Sequence, residues 1–420
     1  MTQEIKLPGL RLNLKPPRVV AENWGFCWYP DIRKFATGEL LLGHSLNADS
    51  GANAITAQAL YFSSDEGQTW KYGYDINGFH PGGGEVRISL PGGAIVGPGY
   101  AGARPDPAGQ QRRFTTHYWR FEEGGRRYSV DTWGAVIEGL PRNVELSHSR
   151  SRWALASISL FGTAVEVTPR RYITTCCVRY DGDTRETLEA IVSEDSGRTW
   201  HYLSTIAGPD ALLDAKEGFD EPCMIKLAEG DLMCVSRVGG GRDQPLGRAY
   251  SSDGGKSWSQ ADRLPAWSVA PSMAQVQNGV IAVSTGRPGI FLWLSTDARG
   301  QNWQSVDVIA FHNATLDPSH RMSAGRAGLE VVNEEMYLND HFDYDEPWQT
   351  TSYTALLEVS PNRLFMVYDR LPYGWMPIPS DAEIRSRIML HYPERPFAPN
   401  SFIPKERNRI YLLEIEVERE

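Results

Sequence analysis

The chain has 420 residues and a formal net charge of −10, and no run of Lys and Arg with interleaved aromatics, which argues against a surface that tracks nucleic-acid phosphates. No stretch approaches the ~20 apolar residues of a membrane-spanning helix, and the N-terminal MTQEIKLPGLRLNLKPP lacks a long apolar core and a small-residue cleavage site. With Gly 40, Pro 27 and few long Ala/Leu/Glu/Lys runs, the composition favours many short strands joined by turns.

Two features recur along the chain. One is an apolar hairpin with Gly or Asn at its turn; the other is an eight-residue pattern, S-x-D-x-G-x-x-W. Residues 25–75 combine IRKFATGELLLGHS with SSDEGQTW at Ser63–Trp70. Residues 83–140 carry VRISLPGGAIVGPG, with a degenerate second pattern expected around RRYSVDTWGAV. Residues 155–205 end in SEDSGRTW, Ser193–Trp200. Residues 218–262 pair MIKLAEGDLMCVSR with SSDGGKSW, Ser251–Trp258. Residues 269–308 pair MAQVQNGVIAVSTG with STDARGQNW, Ser295–Trp303, which has one extra residue.

Farther on, LEVVNEEMYLND is a candidate extra hairpin before LLEVSPNRLFMVYD, Leu356–Asp369. The last strand, RIYLLEIEVE, alternates cleanly without a sequence-local partner and is predicted to pair with N-terminal strands. His312–Ala324 and Pro372–Pro404 read as long loops.

Each S-x-D-x-G-x-x-W reads as a self-satisfied turn: the Asp accepts backbone N–H bonds, Gly supplies a dihedral that other residues resist, and Trp plugs the unit. Four copies in one chain imply a repeat architecture in which each unit packs on its neighbours. The odd set Cys27, Cys176, Cys177, Cys223 and Cys234, in apolar strand-like surroundings, reads as buried free thiols. A reducing, cytoplasmic compartment fits them, or a secreted or periplasmic one if a signal peptide has been removed. Cys176 and Cys177 are expected on opposite faces of one strand, a poor metal motif.

The repeat resembles the Asp-box repeat of the sialidase (neuraminidase) superfamily. The resemblance implies an all-β, sialidase-like β-propeller of six blades, with seven as the alternative, spanning 1–420 as a single domain. Asp boxes identify a fold and not an activity.

More specific is DEPCMIKLAEGDLMCVSR, which is similar to the family segment where a Glu-Pro pair is followed, sixteen residues after the Glu, by an Arg. The resemblance implies that Glu221 activates a tyrosine and that Arg237 grips the substrate. On residue types alone the pair also reads as a buried ion pair. TSYTALLEVSPNRLFMVYDR resembles the Tyr-Ser hairpin of the family and implies Tyr353 as nucleophile. A phenol with a pKa near ~10 needs an adjacent base, which Glu221 supplies in this reading.

The implied general acid lies on SLNADSGANAIT, where Asp49 is the best candidate, though a loop Asp also forms turns. Arg287, eight residues before a box serine, and Arg326, closer in sequence to Tyr353, are contenders for a further substrate-gripping Arg. The chain departs from the family at the first arginine of the Arg-Ile-Pro segment: the corresponding residues are Trp28, Tyr29 and Pro30. Tryptophan replaces a charged fork with one N–H donor and an apolar face suited to a sugar ring.

The expected activity is therefore an exo-acting, retaining glycoside hydrolase that removes a terminal, acidic or highly hydroxylated sugar from a glycan. No metal or organic cofactor is implied, and oligomeric state is left open. Two alternatives share the fold. One is a polysaccharide lyase or neutral-sugar glycosidase, using Glu221 with Asp49 or Asp369, or one of His44, His80 and His117 as base. The other is a non-catalytic carbohydrate-binding propeller.

Overall fold

The computed structural model describes residues 2–24, 27–46, 56–78, 86–100, 102–147, 155–212, 214–215, 218–238, 245–287, 289–323, 349–372 and 406–420. The candidate hairpin at 329–340, and with it the seven-blade alternative, lies outside these residues, as do Asp49, His80 and Arg326.

Apart from the separate pair Leu146–Ser147 with Leu155–Ala156, the described strands fall into six antiparallel units, four of them four-stranded, the second with a fifth short strand and the sixth with six strands. Trp28–Lys34, Leu40–Ser45, Thr56–Ser63 and Lys71–Gly78 make the first. The second and third share one sheet, joined where Tyr128–Glu138 runs parallel to Thr199–Ala207. Phe219–Lys226 and Ser272–Gln275 open the fourth and fifth. The sixth is built from both ends of the chain: Asn408–Arg419 pairs with Arg363–Arg370 on one side and with Leu10–Leu14 and Arg18–Asn23 on the other. The predicted closure by the terminal strands is therefore observed.

Apolar side chains alternate out of both faces of each sheet, so each unit must be covered on two sides. Six buried clusters do this, one between each neighbouring pair of units. Cys176 falls in the cluster between units two and three and Cys177 in the one between three and four, so the two thiols face opposite ways. All five cysteines are free and buried.

Each S-x-D turn joins the third strand of a unit to its fourth, and the hydrogen bonds are those the residue types call for. In Ser251–Trp258, Ser251 Oγ donates to Asp253 Oδ1 at 2.8 Å, Gly255 N donates back to Ser251 Oγ at 2.8 Å, and Ser257 N donates to Asp253 Oδ1 at 3.0 Å. Ser63–Trp70, Ser193–Trp200 and Ser295–Trp303 repeat the Ser-to-Asp bond at 2.8 Å.

Two expectations are corrected. RRYSVDTWGAV is mostly the outermost strand Tyr128–Glu138 and not a turn; the turn lies just before it, closed by Gly125 N donating to Glu122 O. His312–Ala324 is not all loop, because a helix, Val308–Thr315, runs into it. Asp307 caps that helix by accepting from Ala310 N; Val308, Ile309 and Phe311 bury it between the fifth and sixth units, and His312 meets Tyr368 and Tyr411 of the sixth.

Candidate active site

The innermost strands of the six units line a common cavity, and four of them share an irregularity at or just before their start. Tyr29 (φ 53°), Glu221 (φ 43°), Ala270 (φ 33°) and Ser352 (φ 63°) all have positive φ without being glycine. Three of them precede proline: Tyr29-Pro30, Glu221-Pro222 and Ala270-Pro271. Proline has no N–H for a ladder, so it belongs on an edge strand or in a bulge.

The consequence is clearest at Glu221. Asp220 pairs with Arg237, but the next pair is Cys223 with Val235, so Glu221 and Pro222 face the single residue Ser236. In an unbroken ladder Glu221 would point away from the side chain of Arg237. The bulge turns it back. Arg237 Nη1 donates to Glu221 Oε2 at 3.1 Å, and Ala270 N, from the next unit, donates to the same oxygen at 3.0 Å. The other oxygen, Oε1, accepts from the hydroxyl of Tyr353, which comes from the sixth unit.

Tyr353 is held on its other sides as well. The Tyr29 ring meets it edge-on at a centroid distance of 4.6 Å, and the guanidinium carbon of Arg287 lies 5.8 Å from its ring centroid. Arg287, itself at φ 66°, donates from Nη2 to Thr351 O at 3.1 Å. The preceding Gly286 is required by space: a Cβ there would meet Ser352 O at 2.3 Å.

Burial acts against the charge on Glu221, yet the Arg237 guanidinium, the Tyr353 hydroxyl and the Ala270 N–H outweigh it and hold the carboxyl below its usual range. Burial first and the Glu221 charge second push the Tyr353 phenol well above 10. The pair therefore rests as neutral phenol and carboxylate, with the acceptor already bonded to the proton it would take. Glu221 and Arg287 are buried, while Tyr353, Tyr29 and Arg237 are partly exposed.

Glu221, Ala270 and Tyr353 also line the common cavity, of about 30 Å³, together with Asp31, Arg87 and Gly162 among others. It has room for water but not for a sugar ring. Arg87 Nη1 spans it to Asp31 Oδ1 at 2.7 Å, and Arg33 Nε donates to Asp31 Oδ2 at 2.6 Å.

No family model matches the chain, and no curated protein matches it by sequence. Solved structures do. A Dyadobacter fermentans protein of unknown function aligns over 98% of this chain and 100% of its own, at TM-score 0.62 and 15% identity. An α-L-arabinofuranosidase from Fusarium graminearum, in complex with an iminosugar inhibitor, aligns over 97% and 98%, at TM-score 0.55 and 14% identity. A Hadza microbial sialidase aligns over 82% of this chain and 63% of its own, at TM-score 0.53 and 14% identity. The shared fold is the β-propeller.

On this propeller, four of the residues singled out in the sequence, Glu221, Arg237, Arg287 and Tyr353, converge at one end of the hub. Trp28 begins the innermost strand of the first unit, 1% exposed, with its ring 6.0 Å from that of Tyr29. At that burial it offers no open face to a sugar, and Tyr29 is the residue of this pair that meets Tyr353. Asp369 is 0% exposed and accepts from Thr350, Thr351 and the backbone of Tyr29, so it has no face for a substrate. His44 and His117 are 0% and 1% exposed, and burial lowers each to about 4. Both are neutral residues of the interior, with no exposed face to meet a substrate.

Among the described residues, Cys177, Glu186 and Asp220 lie close enough to share a cation, their ligand atoms within 4.8 Å of one another. Asp220 Oδ1 already accepts from Glu221 N at 2.7 Å, and Glu186 lies 3.7 Å from Arg179. Ala270 was not foreseen as a site component, Tyr29 entered only as a neighbour of Trp28, and Asp369 only as a reacting carboxylate of the neutral-sugar alternative; the X-Pro dipeptides at 29–30 and 270–271, matching Glu221-Pro222, carry a signal for the first two.

Proposed function

We propose that the protein is an exo-acting, retaining glycoside hydrolase, working as one propeller, that releases a terminal sugar from a glycan. The observation that carries this reading is the bond between the Tyr353 hydroxyl and Glu221 at the exposed end of the hub, with Arg237 and Arg287 beside it. A phenol kept neutral by burial is a weak nucleophile, and a buried carboxylate in contact with its proton is what it needs to act.

In the first step the Tyr353 oxygen bonds to the anomeric carbon while its proton passes to Glu221 Oε1. The bond to the leaving oxygen breaks, and that oxygen takes a proton from an acid, the role assigned to Asp49. In the second step water attacks the anomeric carbon and gives its proton back to Asp49. The tyrosyl–sugar bond breaks as the water adds, and the phenolate recovers its proton from Glu221. Arg237 and Arg287, with Arg326 as a further candidate, would orient the sugar through charge-assisted hydrogen bonds.

Position 28 favours a second reading of the substrate, a neutral sugar. With tryptophan in place of a guanidinium, and with Arg237 held by Glu221 and Arg287 by Thr351, the site has less to offer a carboxylate. The fold likeness to an arabinofuranosidase is consistent with either sugar. Turnover of a panel of aryl glycosides, including a sialoside and an α-L-arabinofuranoside, tests both readings. Hydrolysis with retained anomeric configuration is expected. Binding without turnover of any member would leave the carbohydrate-binding alternative.

A further inference from the structure

Among the buried groups that this chemistry leaves unused, Asp369 makes the most contacts with the segment that carries the nucleophile. Its carboxylate accepts from Thr350 Oγ1 at 2.7 Å and Thr351 N at 2.7 Å on one oxygen, and from Thr351 Oγ1 and Tyr29 N, the latter at 3.3 Å, on the other. A hydroxyl that donates in one direction has its lone pairs fixed in the others. Thr350 Oγ1 accordingly accepts from Ser352 N at 2.9 Å, and Thr351 Oγ1 accepts from Tyr353 N at 3.3 Å. The carboxylate thus orients two hydroxyls, and those hydroxyls hold the N–H groups of the positive-φ residue Ser352 and of Tyr353 itself. Through Tyr29 N it also fixes the second positive-φ residue, whose ring rests against the Tyr353 ring.

We propose that Asp369 is a positioning residue for the reaction: through Thr350, Thr351 and Tyr29 it sets where the Tyr353 hydroxyl stands relative to Glu221, without touching substrate. The inference rests on the reading that Tyr353 is the nucleophile. Strained backbone persists only where its surroundings over-determine it, and this one carboxylate accepts three hydrogen bonds from residues 350 and 351. Misplacing a nucleophile by about 1 Å can cost on the order of 100-fold in rate while leaving ground-state binding intact.

The test uses Asp369→Asn, Thr351→Val and the double variant, the second single keeping the experiment usable if the first fails to fold. Each single variant is expected to lower kcat by about 10- to 100-fold with KM within about threefold. The double variant is expected to be no worse than the weaker single, because both act through one linkage. Multiplicative losses in the double variant, or equal changes in kcat and KM, would overturn the proposal.

Crystal structures of the same variants separate this claim from the hydrolase reading. If wild type hydrolyses no glycoside, the hydrolase reading fails. The positioning claim then stands or falls on whether the Tyr353 hydroxyl has moved away from Glu221 Oε1. An unmoved hydroxyl in Asp369→Asn and Thr351→Val refutes it.

Discussion

Replacing Tyr353 by Phe separates chemistry from packing, because the ring stays and only the hydroxyl goes. In stability terms the loss is one hydrogen bond to a charged acceptor, about 1.5–3 kcal/mol. Glu221 keeps Arg237 and the Ala270 N–H on its other oxygen, so its charge is not left bare. With an unfolding entropy of about 2.1 cal/mol/K for each of 420 residues, a loss of that size lowers Tm by only about 2–3 °C. Removing the nucleophile acts on a different scale, a fall in kcat of about 1,000-fold or more, equivalent to ~4 kcal/mol of barrier. The assay is release of an aryl leaving group by the substrate that wild type turns over best, alongside a thermal melt. Activity within tenfold of wild type refutes the nucleophile assignment. A Tm drop beyond about 10 °C would mean that the hydroxyl serves packing instead.

Three further outcomes follow from the same geometry. Ser251→Ala removes the acceptor of the buried Gly255 N and should cost about 1–2 kcal/mol in chemical denaturation while kcat stays unchanged; a matching loss of kcat would tie the outer turns to the site. Burial raises Asp369 from 3.8 to about 6, so ionising it in the fold works against stability. Relative to Asp369→Asn, wild type should be at its most stable below about pH 4 and lose roughly 3 kcal/mol as pH rises through 6, read from denaturant midpoints; a constant or opposite difference contradicts the cause given. Trp28→Arg should raise the ratio of kcat/KM for a sialoside over that for an arabinofuranoside by at least about tenfold, and an unchanged ratio would detach residue 28 from the choice of sugar.

What the sequence disclosed, and what it hid, follows from the range of the interactions. The S-x-D turns were legible because their key Ser–Asp and Asp–backbone bonds join residues within five positions of each other. The convergence of Glu221 with Arg237 was legible because a hairpin fixes their separation. The bulge that makes the contact possible was not, since Glu-Pro alone does not specify a positive φ. Ala270 N is 49 positions from Glu221, and Tyr29 N is 340 from Asp369, and no local pattern spans such distances. The helix at Val308–Thr315 escaped notice for the opposite reason: eight residues with nearly consecutive buried side chains are too few to display a helical stripe.

The central claim is that Tyr353 forms a bond to sugar. Incubation with an activated fluoro-glycoside that slows the second step, followed by peptide mass spectrometry, tests it most directly. The account predicts a glycosyl adduct on the peptide containing Tyr353, at the tyrosine, and none in Tyr353→Phe. An adduct on Glu221, Asp49 or any other residue, or steady turnover with retention and no tyrosyl adduct, would contradict it.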